Sequence, residues 1–125
     1  MKKIIIVLLF GLLAVLIPGC KSGNNFDITG TWVINTQTGD GQFTNTFIFS
    51  GTKADGSVTL RDINSSGSYT VVGDAVQFSV SFGIAAPLYR ENYTGQFDSE
   101  NAMSGSFNIT LDGAVTGSGT WTASR

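Results

Sequence analysis

The segment VQFSVSF, Val76 to Phe82, alternates apolar and polar side chains without a break. Successive side chains of an extended strand point to opposite faces. The pattern therefore sets Val76, Phe78, Val80 and Phe82 against a core and leaves Gln77, Ser79 and Ser81 in water. The segment MSGSFNITL, Met103 to Leu111, keeps the same alternation for nine residues. Outward from these two stretches, period-two patterning predicts strands at 29–37, 43–51, 57–63, 67–73, 75–83, 89–98, 102–111 and 114–124. TGDG, GTKADG, NSSG, VGDA, DSEN and LDGA separate them, all rich in turn formers. No segment after Thr29 has helical periodicity.

Short connections make each strand pair with the next. The expected fold is all-β, an eight-stranded antiparallel up-and-down meander barrel, because closure removes the sheet edges that invite aggregation. A two-sheet sandwich uses as many strands but needs longer Greek-key crossovers, which these connections do not provide.

Gly-Thr-Trp occurs at 30–32 on the first strand and again at 119–121 on the last. In a closed meander these strands run antiparallel along the seam, so Trp32 and Trp121 are expected at the same barrel end. Gly67 with Tyr69, Gly95 with Phe97 and Gly105 with Phe107 repeat the spacing of a glycine two residues before an aromatic. Such pairs suit a strongly coiled sheet, where glycine permits the bend and a ring covers the gap.

The chain opens with MKKIIIVLLFGLLAVLIPGC. Lys2 and Lys3 precede an apolar run from Ile4 to Ile17, which is short of the roughly 20 residues of a membrane span. The run stops at Pro18-Gly19-Cys20, and Cys20 is the sole cysteine, with no disulfide partner. This stretch resembles a bacterial lipoprotein signal, departing from the usual pattern at Pro18. The resemblance implies cleavage after residue 19, lipidation of Cys20 and anchorage of the mature protein to the bacterial cell envelope. Lys21 stands where Asp would signal inner-membrane retention, which favours the outer membrane of a Gram-negative cell. The expected organisation is a signal peptide at 1–19, a lipidated Cys and flexible tether at 20–27, and a barrel domain at 28–125.

Gly30-Thr31-Trp32 on the first strand and Arg125 just past the last resemble the calycin superfamily of lipocalins, avidins and fatty-acid-binding proteins. The resemblance implies that Trp32 packs at the closed end of the barrel under the Arg125 guanidinium. The sequence departs from the lipocalins in ending at Arg125 without a terminal helix. It departs from the avidins in placing Ile34 where they hold a ligand-binding Asn, so biotin is not expected.

Seven Lys and Arg face nine Asp and Glu, and two of the seven are Lys2 and Lys3 of the leader. The domain is acidic, which argues against a nucleic-acid partner. There is no histidine, the commonest general base and metal ligand. With no nucleophile or phosphate-loop motif either, neither an enzyme nor a bound cofactor or metal is expected.

Parity and strand direction place Trp32, Phe49, Val58, Val71, Val76, Phe97, Met103 and Trp121 toward the Trp end of the interior. They place Asn45, Asp62, Tyr69, Phe82, Tyr89, Glu91 and Leu111 at the opposite mouth. Glu91, flanked at two-residue spacing by Tyr89 and Tyr93, is a carboxylate on an apolar stripe, so it needs a partner, a proton or solvent. The loop from Gly83 to Leu88, GIAAPL, is the one apolar connection and belongs to the mouth end. Residues 21–28 span at most ~28 Å and enter at the other end, so this loop is expected to face away from the anchor. The candidate ligand-binding residues are Glu91, Tyr89, Tyr93, Asp62, Asn45, Tyr69, Phe82 and Leu88, with Trp32, Trp121 and Arg125 closing the barrel. The expected function is binding of a small apolar or amphipathic ligand in the mouth. The alternative is a barrel filled by its own aromatics, which binds an envelope protein through its mouth-end loops, the 83–88 loop foremost.

Overall fold

The computed structural model describes residues 26–82 and 89–125. The leader, Cys20, the start of the tether and the 83–88 loop with Leu88 lie outside the described residues. The strands are β1 Gly30–Thr38, β2 Gly41–Gly51, β3 Asp55–Leu60, β4 Ser65–Val72, β5 Ala75–Phe82, β6 Tyr89–Ser99, β7 Ala102–Leu111 and β8 Ala114–Ser124. They form a closed barrel in sequence order, each strand antiparallel to the next and β8 returning to β1. The meander barrel read from the alternation is the fold.

Local chemistry sets the connections. Asp112 and Gly113 form the two-residue link between β7 and β8 with φ of 52° and 85°. Positive φ at both central positions matches the twist of the flanking strands, and Asp-Gly tolerates it. Strand β3 differs from the expected 57–63. It starts earlier because Thr52 folds the preceding loop back, its amide donating to the Asp55 carbonyl at 2.8 Å. It stops at Leu60 because Asp62 turns into the left-handed region at φ 68°. The Leu60 amide then donates to Ser65 Oγ at 2.9 Å.

The core fills most of the interior. At the closed end Trp32 is fully buried, and its Nε1 donates to the Ile28 carbonyl at 2.8 Å. Phe26 and Phe97 pack beside it at a centroid distance of 5.2 Å from one another. Above this floor Phe47, Phe49, Tyr69, Phe78, Tyr93 and Trp121 form one aromatic cluster. Phe78 stacks on Tyr93 at 4.6 Å and meets Trp121 edge-on at 5.3 Å. A narrow barrel is stopped by such side chains. Every buried core residue described lies between Ile28 and Ala123, and the sheet closes without any earlier segment. Residues 21–125 therefore contain all eight strands of the closed sheet and the whole of the core described.

The two tryptophans do not share an end. Along the seam Val33 pairs with Ser124 and Thr36 with Trp121, so Trp121 sits four β1 positions above Trp32, in mid-barrel. The stagger that closes a barrel of tilted strands causes this offset, which sequence symmetry does not reveal. The covering of glycines also differs from the expected same-strand pairing, because the rings come from neighbouring strands. Tyr69 lies over Gly56, Phe107 over Gly119, and Trp121 over Gly105 and Gly95.

A candidate ligand cup at the open seam

The end of the barrel opposite Trp32 does not close evenly. Strands β1 and β8 pair only from Val33 with Ser124 to Gln37 with Thr120, with Gly119 still against the Gln37 backbone, so β8 from Ala114 to Ser118 has β7 alone as ladder partner. Strand β2 pairs with β3 only from Phe47 downward. The tip of the β1–β2 hairpin thus stands apart from both neighbouring walls. An extra residue, Thr116, bulges β8 where the register with β7 passes from Ile109–Gly117 to Thr110–Val115. Its Oγ1 donates to the Ile109 carbonyl at 3.3 Å. Bulges of this kind re-aim a strand at a barrel rim.

Between hairpin and bulge lies a cavity of about 540 Å³. Phe107 and Thr36 form its floor, Phe43, Tyr89 and Ile109 its apolar walls, and Asn45, Glu91, Thr116 and Ser118 its polar points. The volume falls within the range of roughly 300–1,000 Å³ common for small-molecule sites, which combine apolar walls with few polar groups. Four of the six large hydrophobic side chains exposed among the described residues, Phe43, Ile63, Leu111 and Val115, belong to this end.

Glu91 is the centre of the polar chemistry. Alternation on β6 puts Tyr89, Glu91 and Tyr93 on one face, and both phenols turn toward the carboxylate. Tyr93 Oη donates to Glu91 Oε1 at 2.6 Å, and Tyr89 Oη donates to Oε2 at 3.3 Å. Tyr93 is buried, with Phe78 on one face and Phe107 on the other at 5.3 Å. Burial first, and the neighbouring Glu91 charge second, push the Tyr93 phenol well above its ordinary pKa. The same causes raise Tyr89. Both hydroxyls therefore keep their protons and remain donors at neutral pH.

The structure brings Glu91, Tyr89 and Asn45 together in the lining, with Tyr93 just beneath and its hydroxyl on Glu91. Phe82 packs against Tyr89 at 5.4 Å beside the cup rather than lining it. Two expected members are elsewhere. Tyr69 lies toward the closed end, paired with Gly56, and its hydroxyl donates to the Thr52 carbonyl at 2.5 Å. Strand β4 starts at Ser65, two residues before the expected position, which moves Tyr69 down the barrel. Asp62 is exposed in the β3–β4 turn and does not face Glu91 across the cup. Leu88 lies outside the described residues. The parity of Thr36 with Trp32 and the place of Phe107 on the alternating β7 stripe were signals for the floor. Thr116 and Ser118 carried none, because a bulge and an unzipped seam bring them in.

Arg125 stands over the closed end, its guanidinium 4.4 Å from the centre of the Trp32 ring. Nη1 donates to the Thr29 carbonyl at 3.1 Å and Nη2 to the Glu100 carbonyl at 3.0 Å. Among the described residues no three His, Cys, Asp or Glu side chains gather as metal ligands, and no helix is long and apolar enough to cross a membrane.

No protein-family model matches the chain, and no curated protein matches it in sequence. Among solved structures it is similar to a redesigned β-barrel, with a TM-score of 0.63 and 18% identity over 78% of this chain and 90% of the other. At that identity the likeness concerns the fold alone: this chain is an eight-stranded antiparallel β-barrel.

Proposed function

We propose that this protein is a calycin-like binding barrel that takes a small apolar or amphipathic molecule into the cup at its open seam. The observation that carries the reading is the cavity of about 540 Å³ with Glu91 set among Phe43, Tyr89, Phe107 and Ile109. The exposed apolar rim of Phe43, Ile63, Leu111 and Val115 supports it, because a hydrophobic mouth costs solubility unless something binds there. The lipoprotein-like leader supports an envelope location through lipidated Cys20, with the cup facing away from the anchoring membrane.

Native mass spectrometry of residues 21–125, purified without detergent and offered a panel of apolar and amphipathic metabolites, tests the cup. A bound mass lost in Phe43→Asp is expected, because Phe43 lines the cup yet is half exposed and carries little of the fold. A clean unliganded mass across the panel refutes small-molecule binding. For the anchor, the N-terminal peptide of the membrane-extracted protein should carry acyl groups on Cys20, and Cys20→Ser should release the domain from membranes.

One observation favours a second reading. The main-chain edge of β8 from Ala114 to Ser118 has no ladder partner on its β1 side, and the barrel below the cup is filled. An extended segment of another protein can add to such an edge. Binding of an envelope protein that Val115→Pro abolishes, with no small molecule retained, would establish that reading instead.

A further inference from the structure

Resting on the reading of the cup as a small-molecule site, we infer that it selects amphiphiles with a cationic, ammonium-type head on a short apolar body. The acidic side chains that line the cavity are Asp40 and Glu91, and among the described residues no Lys or Arg lines it. The nearest basic residue in sequence, Arg90, points to the outer face, where its Nε donates to Ser81 Oγ at 3.2 Å. Arg61 sits in the exposed β3–β4 turn and is not part of the lining. Among the described residues no cation therefore stands beside the Glu91 carboxylate in the cup.

The two tyrosines orient Glu91 but do not neutralise it. Each carboxylate oxygen accepts one phenolic hydrogen bond. A carboxylate offers about four acceptor positions, so roughly two stay open. Neutral phenols also leave the formal charge in place. An ammonium group supplies several donors and the missing positive charge at once, and charge-assisted bonds are the stronger kind. Phe43, Tyr89 and Phe107 line the same space, and a ring presented face-on to a cation attracts it through its quadrupole. The apolar body would lie along Phe43 and Ile109 toward the exposed rim. A fatty acid, the usual amphiphile of comparable size, would instead bring a second carboxylate against Glu91.

The test is a matched ligand series on residues 21–125 at pH 7 and low salt, with binding followed by calorimetry. The probes are n-octylammonium, octyltrimethylammonium, 1-octanol and octanoate, each below its aggregation threshold. One or both ammonium compounds should bind about tenfold to a hundredfold more tightly than octanol, and octanoate more weakly than octanol. The primary ammonium leading means that hydrogen bonds to Glu91 dominate, whereas the quaternary one leading means that the aromatic faces do. Added salt should shrink the margin. In Glu91→Gln the ratio of ammonium to octanol affinity should collapse toward one. Octanol or octanoate binding as tightly as both ammonium compounds overturns cation selectivity while leaving the cup intact. Failure of all four ligands to bind sinks the cup itself. The wild-type series decides the matter even if Glu91→Gln does not fold.

Discussion

Replacing Gly95 by Ala should destabilise the barrel, because a methyl there must push apart β6, β7 and the Trp121 indole. Gly95, Gly105 and Trp121 are successive cross-strand partners on β6, β7 and β8, and the indole lies across both glycines. Its Nε1 donates to the Thr94 carbonyl at 3.1 Å and the Ser106 carbonyl at 3.0 Å, two groups that flank the glycine pair. A Cβ on residue 95 would stand 2.1 Å from the Ser104 oxygen and 2.8 Å from Trp121 Cζ2. The first of those atoms is backbone, so the strand as well as the ring must shift. Overpacking costs about 1–3 kcal/mol, and prising the indole N–H from its carbonyls about 1–3 kcal/mol more. The expected loss is therefore about 2–6 kcal/mol out of the roughly 5–15 kcal/mol that holds a small domain. For a domain of about a hundred residues this is a fall in Tm of roughly 10–50 °C.

Urea unfolding of residues 21–125, followed by tryptophan fluorescence, measures the loss directly. Gly117→Ala on β8 is the control, since its Cβ would meet nothing nearer than Ile109 Cδ1 at 3.6 Å. It should be neutral or slightly stabilising through reduced unfolded-state entropy. If Gly95→Ala unfolds within about 0.5 kcal/mol of wild type, the close approach of indole to sheet is not what shapes this wall.

Three further outcomes follow from the same geometry. Arg125→Ala should cost about 1–2 kcal/mol by removing the ring contact on Trp32 and the bonds to Thr29 and Glu100, and Arg125→Lys should restore only part of this, because an ammonium cannot reproduce the planar fork; thermal melts check both. Tyr69, Tyr89 and Tyr93 all have phenols raised by burial first, so folding favours their protonated forms. Their contribution is fully present below the unfolded phenol pKa of about 10 and is lost as pH rises toward the higher folded values. Urea midpoints should hence fall above about pH 10, less steeply in Tyr93→Phe; a flat profile to pH 11 would contradict this. At neutral pH Tyr93→Phe should itself cost about 1.5–3 kcal/mol, the range for a hydrogen bond to a charged group, again read from urea midpoints.

Much of the architecture was legible in local chemistry. Alternation from Val76 to Phe82 and from Met103 to Leu111 specified strands with one buried face, and short polar connections left a meander as the economical path. Asp112-Gly113 announced its own turn. Glu91 stood out because a carboxylate on an inward apolar stripe must be satisfied, and two tyrosines at two-residue spacing were the nearest donors. These are readings of nearest-neighbour geometry, with side-chain direction set by a period of two.

What depended on distant strands was not legible. The stagger between β1 and β8 separates Trp32 from Trp121. The start of β4 at Ser65 lowers Tyr69 toward the Thr52 loop, and the left-handed Asp62 ends β3 before that carboxylate can turn inward. The early parting of β1 from β8, together with the bulge at Thr116, opens the wall beside Glu91 and brings Thr116 and Ser118 to the cup. Sequence by itself determined which face of each strand is buried, because the pleat is a local property. Only the tertiary structure decided how far each strand slides past its neighbours, because barrel closure fixes that offset for all eight strands together.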